Sequence, residues 1–361
     1  MDVLDRRLVA ALQVSPRASW GELGRAVGEH ERTVARRLQR LITEGMVRVT
    51  AIYDDLRTGH GRPAHLHVHV RPGTAGQVAK ALADRPDTRS VYSLTGAADL
   101  GCELVPPSRD DLHHILSSQI SEIDGVLQTQ TQVVLHTFRT VAEWHAPYLT
   151  EQEIAELRPA PLPDCLPDEE GLSPLEQEIA ELLAADGRIA FTAVAERLDI
   201  SVPTARRRVT SLIERRLLLP RAEVEPALLG LEVEAMLWLK VRPYGLDLVG
   251  QRLAAHPNVR YCAATSGTHS LIVQVVAAHE ADLYRFMTGV VGRHDEITDS
   301  DLTLITRAYK RGHLHKSGLL TLDSPDDPLH HPLDNPLHHP LDNSLHHPLD
   351  HPLDHRWERT P

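Results

Sequence analysis

The chain has 361 residues, 42% of them hydrophobic and only 4% aromatic, and a formal net charge of −12. That length implies two or more compact units, and no apolar run approaches the roughly 18 residues of a membrane-spanning helix. Three distant cysteines, Cys102, Cys165 and Cys262, suggest neither a disulfide framework nor a zinc site, and fit a reducing cytoplasm. The acidity is local: residues 323–361 carry eight acids against two arginines and residues 143–172 eight against one, which leaves the rest near +1. Nucleic acid is therefore not excluded as a partner.

The N-terminal stretch has Leu4, Leu8 and Leu12 at helical spacing among mixed charges, the pattern of an amphipathic helix and not of a secretory signal. It ends near Ser15-Pro16, because proline disfavours helix at the residue before it. Ser19 opens a second short helix carrying Leu23, Ala26 and Val27, and Gly28 makes the turn. A third helix over Glu31 to Glu44 places Val34, Leu38 and Leu41 on one face and Arg32, Arg36, Arg37 and Arg40 mostly on the rest. Such a pair of short helices, the second rich in arginine, has the form of a DNA-reading helix-turn-helix. Met46 to Tyr53 alternates with period two, as a strand or wing.

Ala64 to Arg71, Thr88 to Thr95, Asp99 to Val105 and Val126 to Phe138 have strand patterns, with helices over Thr74 to Asp84 and Asp110 to Ile120. The order β-α-β-β-α-β is ferredoxin-like: two helices on one face of a four-stranded antiparallel sheet. The other face is left open, so dimerisation through it is expected. His65, His67 and His69 alternate along one strand and share a face, which the sequence assigns to a subunit interface or to solvent, not to a metal. Proline and acid then dominate residues 143–172, an expected linker with a short helix over Tyr148 to Leu157.

The pattern restarts with a constant offset of 171 residues. Leu4 matches Leu175, Arg17 matches Arg188, Thr33 matches Thr204, Arg36-Arg37 match Arg207-Arg208, Val70-Arg71-Pro72 match Val241-Arg242-Pro243, and Gly96 matches Gly267. A register held that long marks a tandem duplication. The histidine strand is not preserved; its copy has Met236, Trp238 and Lys240. The expected fold is α+β: a winged helix-turn-helix (1–55), a ferredoxin-like domain (62–142), the linker (143–172), a second helix-turn-helix (173–225), a second ferredoxin-like domain (231–312), and a disordered tail (323–361). In the tail Pro-Leu-His-His-Pro-Leu-Asp-Asn starts at Pro328 and again at Pro336, and proline at that density forbids helix and ladder.

The ordered segments LDRRLVAAL, GELGRAVG and TVARRLQRLITEGMV, and their counterparts in the second half, make the chain resemble the Lrp/AsnC transcription regulators. The turn Gly96 to Asp99 resembles that family's G-x-x-D turn, whereas the second copy, Gly267 to Ser270, ends in serine. The resemblance implies regulators that bind double-stranded DNA through the N-terminal helices, dimerise through the ferredoxin-like domain, often assemble further, and sense amino acids or other small metabolites. Two fused units make one chain a potential pseudo-dimer.

Arginine can neutralise phosphates and bind guanine bidentately. The expected DNA-binding residues are Arg32, Thr33, Arg36, Arg37 and Arg40 in the first unit, with Ser201, Thr204, Arg206, Arg207 and Arg208 in the second. Arg40 is the one more suited to backbone or solvent. The first reading helix starts at Glu29-His30-Glu31, a poor cap beside repelling acids, and the second at Ser201-Val202-Pro203, a good one. The second is therefore expected to dominate. Effector binding is expected at Gly96, Asp99, Gly267 and Ser270, where glycine permits close backbone approach. No catalytic residue, metal site or cofactor is assigned. The leading function is a cytoplasmic, homo-oligomeric, effector-controlled DNA-binding regulator. The alternatives are an enzyme like the sirohaem decarboxylases, which share this two-domain resemblance, and a metabolite-sensing partner protein without DNA binding.

Overall fold

The structure, a computed structural model, describes residues 1–58, 61–158, 172–312 and 314–315. The first helical unit comprises α1 (Val3–Val14), α2 (Trp20–Val27) and α3 (Glu31–Thr43), followed by β1 (Val47–Tyr53). Each boundary has a local cause. The Asp2 side chain accepts the Asp5 amide at 2.8 Å at the start of α1, Ser19 and Glu22 cap α2 reciprocally, and Gly28 ends α2 with φ +75°. Leu8, Leu12, Leu23, Leu38 and Leu41 form the fully buried core that the helical spacing predicted.

The chain continues through α4 (Asp55–Thr58), β2 (Ala64–Val70), α5 (Ala75–Ala83), β3 (Thr88–Leu94), β4 (Leu100–Leu104), α6 (Arg109–His114) and β5 (Val126–Arg139). A π-helical turn over Ile115–Ile120 prolongs α6. After α7 (Glu151–Leu157) the second half repeats the plan: α8 (Pro174–Ala185), α9 (Phe191–Arg197), α10 (Val202–Glu214), β6 (Leu218–Val224), β7 (Val233–Val241), α11 (Leu246–Ala254), β8 (Val259–Thr265), β9 (Leu271–Ala277), α12 (Glu280–Gly289), β10 (Ile297–Arg311) and β11 (Leu314–His315). Among the described residues no helix is long and apolar enough to cross a membrane.

The two ferredoxin-like sheets do not stand apart. Strands run β3-β4-β2-β5 in one half and β8-β9-β7-β10 in the other, and β5 pairs with β8 while β10 pairs with β3, so the ladder closes on itself. The seams are equivalent under the 171-residue offset: Val134 lies opposite Thr265 in one, Ile305 opposite Leu94 in the other. The open face expected to dimerise is thus covered within one chain. Closure also removes the bare strand edges that two separate sheets would present.

Two further joints tie the helical units. Strands β1 and β6 pair antiparallel from Val47 opposite Val224 to Tyr53 opposite Leu218. Arg17 donates to the carbonyls of Gly187 (2.6 Å) and Ile189 (3.2 Å), and Arg188 donates to those of Pro16 (2.7 Å) and Ala18 (2.9 Å). Each guanidinium also stacks on an aromatic ring of the opposite unit, Arg17 over Phe191 and Arg188 over Trp20.

The stretch expected as a linker is folded in its first part. Trp144, Ala146 and Leu157 are buried in the first helical core, Trp144 Nε1 donates to Pro257 O at 2.8 Å, and a Thr150–Glu153 capping box starts α7. Its proline-rich part, residues 159–171, and the tail at 323–361 lie outside the described residues.

Replacing Arg17 and Arg188 together by alanine removes four charge-assisted bonds to main-chain carbonyls. Discounted for partial exposure, the loss is expected to be roughly 2 kcal/mol. Hydrogen exchange should rise at residues 15–20 and 186–191, and unchanged exchange there would show that the joint carries no strain between the units.

Candidate functional site

The reading helices α3 and α10 present their polar faces outward. On α3, Arg32, Arg36 and Gln39 are exposed and Thr33 half-buried; on α10, Arg206 and Arg207 are exposed and Thr204 half-buried. The other arginines are held by ion pairs, Arg40 while remaining exposed. Arg37 Nη1 bonds Asp2 Oδ2 at 2.6 Å and Asp5 Oδ1 at 2.8 Å, and Arg40 Nη2 bonds Asp5 Oδ2 at 2.8 Å. In the second unit Glu176, which stands 171 residues after Asp5, holds Arg215 Nη1 at 3.0 Å and Arg208 Nη1 at 3.6 Å. Both acids are buried. Each therefore anchors its reading helix to the first helix of its unit, and Arg37, Arg40 and Arg208 have this structural duty before any other.

The caps differ from expectation in one respect. The second reading helix starts as the sequence indicated, with Ser201 Oγ accepting the Thr204 amide at 3.3 Å. The first is also capped: His30 Nδ1 accepts the Arg32 amide at 3.2 Å. An imidazole nitrogen serves here in place of a hydroxyl, so capping does not rank the two helices.

The turns expected to bind effector lie at the seams. A Cβ on Gly96 would meet Thr303 Cγ2 at 3.2 Å, and one on Gly267 would meet Gln132 Cγ at 3.4 Å. The neighbouring hydroxyls dock symmetrically: Thr95 Oγ1 accepts from Leu304 N and Ser266 Oγ accepts from Val133 N, each at 2.9 Å. Asp99 Oδ2 accepts the Val70 amide at 2.8 Å, and Ser270 Oγ accepts the Val241 amide at 2.9 Å. Aspartate and serine thus do the same local job in the two copies, which accounts for the exchange.

A cavity of about 510 Å³ runs from the barrel interior to the β1–β6 ribbon. Of the histidine strand, His65 lines it; His65 and His67 are buried and His69 is half-buried, and the interface the buried pair serves lies between the two halves of one chain, not at a solvent face. His65 Nε2 pairs with the Tyr261 hydroxyl at 3.2 Å, and His67 meets Trp238 edge-on at 4.1 Å between centroids. Beside them lies a ladder of buried charge. Arg311 forks onto Glu234 at 2.6 and 3.0 Å, Arg260 reaches Glu234 and Glu223 at 3.4 Å, and Arg221 pairs with Glu223. Arg89 pairs with Asp55 and with Glu103 at 3.1 Å. Sequence reasoning missed this wall. Its signals were Arg89 and Arg260 at the common offset, and the alternation of Arg221 and Glu223 along β6 with Glu225 just beyond it. Among the described residues no group of three or more His, Cys, Asp or Glu could hold a metal ion.

Comparison with known proteins follows the same plan. An AsnC-type helix-turn-helix domain matches residues 1–42, a winged helix-turn-helix DNA-binding domain residues 172–218, and the Lrp/AsnC ligand binding domain matches twice, at 64–142 and 234–314. The HTH-type transcriptional regulator FL11 of Pyrococcus horikoshii is 30% identical over 144 residues, 40% of this chain and 95% of that protein. The chain belongs to the Lrp/AsnC family. The regulator LrpA of the same organism is 29% identical over 121 residues, 33% of this chain and 86% of that one. Among solved structures, the siroheme decarboxylase NirDL superposes on 85% of this chain and 92% of its own with a TM-score of 0.57. At 17% identity that likeness is one of fold. This Lrp/AsnC protein therefore carries the family's helix-turn-helix and ligand-binding domains in duplicate on one chain.

The buried histidines make the barrel sensitive to acid. Burial, reinforced by His65, His269 and His69, pulls His67 down from 6.5 to about 4, and burial lowers His65 as well. Below its ordinary value the unfolded chain binds a proton that the folded barrel refuses, so stability present at neutral pH falls as pH drops from 6.5 towards about 4. His67→Leu should remove roughly 2 kcal/mol of the stability difference between about pH 7 and about pH 5. Urea titrations of both proteins at both pH values measure it, and equal slopes would reject the assignment.

Proposed function

We propose that this Lrp/AsnC protein is a sequence-specific DNA-binding transcription regulator in which one chain does the work of a dimer. The observation that carries the reading is the pair of reading helices with exposed arginines, joined by the β1–β6 ribbon and the Arg17–Arg188 clasp. Arg32, Thr33 and Arg36 of one helix and Thr204, Arg206 and Arg207 of the other are the side chains we assign to base edges and nearby phosphates. Arg37, Arg40 and Arg208 are assigned to orientation of the helices, with phosphate contact secondary, and Ser201 to the cap. Glu29 and Glu44 flank the first reading helix and Glu31 opens it, so the two half-sites are expected to be unequal, with the second helix the stronger. Control by an amino acid or other small metabolite, assembly of several chains and a cytoplasmic location complete the proposal. A metabolite acting at the seams, where Gly96, Asp99, Gly267 and Ser270 sit, would alter the placement of the halves and hence of the helices.

Titration of the purified chain with the DNA upstream of its own gene, across a salt series, tests the reading. Arg36→Ala combined with Arg207→Ala should weaken binding at least tenfold and flatten the salt slope by about two. The thermal midpoint should stay within about 2 °C, because both residues are exposed. Undiminished affinity in that double variant would falsify the assignment.

One observation favours a second reading, an enzyme acting on a tetrapyrrole: the whole-chain fold likeness is to a siroheme decarboxylase, and the barrel holds a cavity walled by arginine and histidine. Incubation with sirohaem under reducing conditions separates the two readings. Release of carbon dioxide supports the enzyme, and an unchanged sirohaem spectrum dismisses it.

A further inference from the structure

Two repeats that close on each other do so about a pseudo-two-fold axis, and a residue that meets its own counterpart in the other repeat lies on that axis. The Arg17–Arg188 clasp is one such place, and its two members are alike. At two others they are unlike. Thr50 lies opposite Arg221 in the β1–β6 ribbon, and His67 meets Trp238 edge-on in the barrel; both pairs stand at the 171-residue offset. All four side chains are buried. In a pair of identical halves each of these residues would face itself.

Two second halves would suit each other badly. Arg221 would stand opposite Arg221 on adjacent strands, at a place that is 3% exposed, and like charges directly opposite destabilise a ladder, the more so when buried. Trp238 would stand against Trp238, a second indole in the space that an imidazole now fills at 4.1 Å between centroids. Overpacking of that kind forces side chains off their rotamers. The bond between His65 Nε2 and the Tyr261 hydroxyl, 3.2 Å, would be lost as well, because Met236 is the counterpart of His65. Two first halves are disfavoured for other reasons. His67 against His67 leaves empty the difference between an indole and an imidazole. At the ribbon Gly187 lies so close to β1 that a Cβ would stand 2.5 Å from Thr50 O, and its N–H donates to Val49 O at 3.0 Å. The first half has Pro16 in that place, with a ring and no N–H.

We propose that the two halves are built to pair with each other and not with copies of themselves. The partner that each interface accepts is the unlike half, and the choice is made on the axis by Thr50 with Arg221 and by His67 with Trp238. Specificity of this kind needs misfit in the wrong pair as much as fit in the right one. Duplication supplies both, since the two copies are free to diverge. The inference needs no DNA. Its consequence for DNA rests on the regulator reading: each closed unit presents one α3 and one α10, never two alike, so the site it reads is not a palindrome.

The intact chain tests the fit. His67→Trp sets indole against indole and Trp238→His sets imidazole against imidazole, while the two together restore an unlike pair with its sides exchanged. Each single variant should lower the urea midpoint by about 0.5 M or more, and the double variant should regain at least half of the summed loss. A single variant as stable as the parent, or a double variant whose loss equals the sum, overturns the proposal. If the single variants do not fold, the double decides, and its failure to fold overturns the proposal too. A chain cleaved at a protease site placed within residues 159–171 tests the choice of partner. Unfolded in urea, refolded by dilution and weighed by native mass spectrometry, it should give unlike pairs in roughly tenfold or greater excess over like ones. Random assortment overturns the proposal; if the cleaved chain does not refold, the intact variants decide. Arg221→Thr combined with Trp238→His makes these axis residues the same in both halves, so like pairs should then appear. Their continued absence would place the choice elsewhere and overturn the assignment. DNA enters none of these measurements, so failure of the regulator reading leaves their outcomes unaffected.

Discussion

A four-stranded ferredoxin-like sheet has two bare edges and one face without a covering layer, and in this protein each half supplies what the other lacks. Strand β5 continues onto β8 and β10 onto β3, so the ladder runs round a closed barrel. The backbone groups of both outer edges are paired, and the inner faces become a common interior. The rest of the structure depends on that closure. It brings His65 against Tyr261 and His67 against Trp238, and it brings Arg89 and Arg221 to one cavity wall.

Closure also fixes where the helical units go. The antiparallel β1–β6 ribbon and the reciprocal clasp of Arg17 and Arg188 obey the same pseudo-two-fold relation as the seams. Two reading helices on one chain are thereby presented together, without the concentration dependence of a dimer of separate chains. Covalent fusion has a second consequence. In a homodimer every residue appears at both symmetry-related places, whereas here the two copies vary independently. The interior differs between the copies, His65 standing where the other half has Met236 and Glu103 where it has Gln274, and the outer surfaces of the two reading helices differ in their acidic neighbours.

The buried acids show how a similar residue can take on different duties. Asp5 and Glu176 are both in the first helix of their unit, and both hold arginines of the reading helix. A count of arginines along α3 and α10 treats all of them as available to DNA. The ion pairs divide them into a group that faces solvent and a group that sets the tilt of the helix on its unit.

Much of this was legible in the amino-acid sequence. Helical spacing of leucines, strand alternation and the unbroken 171-residue offset determined the elements, their order and the duplication, because those depend on local propensity and periodicity; the family was legible through the resemblance of the ordered segments. Sequence also marked the reading helices, but not which of their arginines Asp5 and Glu176 hold. It did not reveal that His30 caps α3, that residues 143–158 pack into the first core, or that Asp99 and Ser270 perform one and the same backbone-capping task. Each of these depends on what lies across from a residue, not on what lies beside it in the chain. The closed barrel and its charged wall were decided by tertiary structure alone. Strand patterns say which face is inward, but only the pairing of β5 with β8 and of β10 with β3 says which residues share that interior.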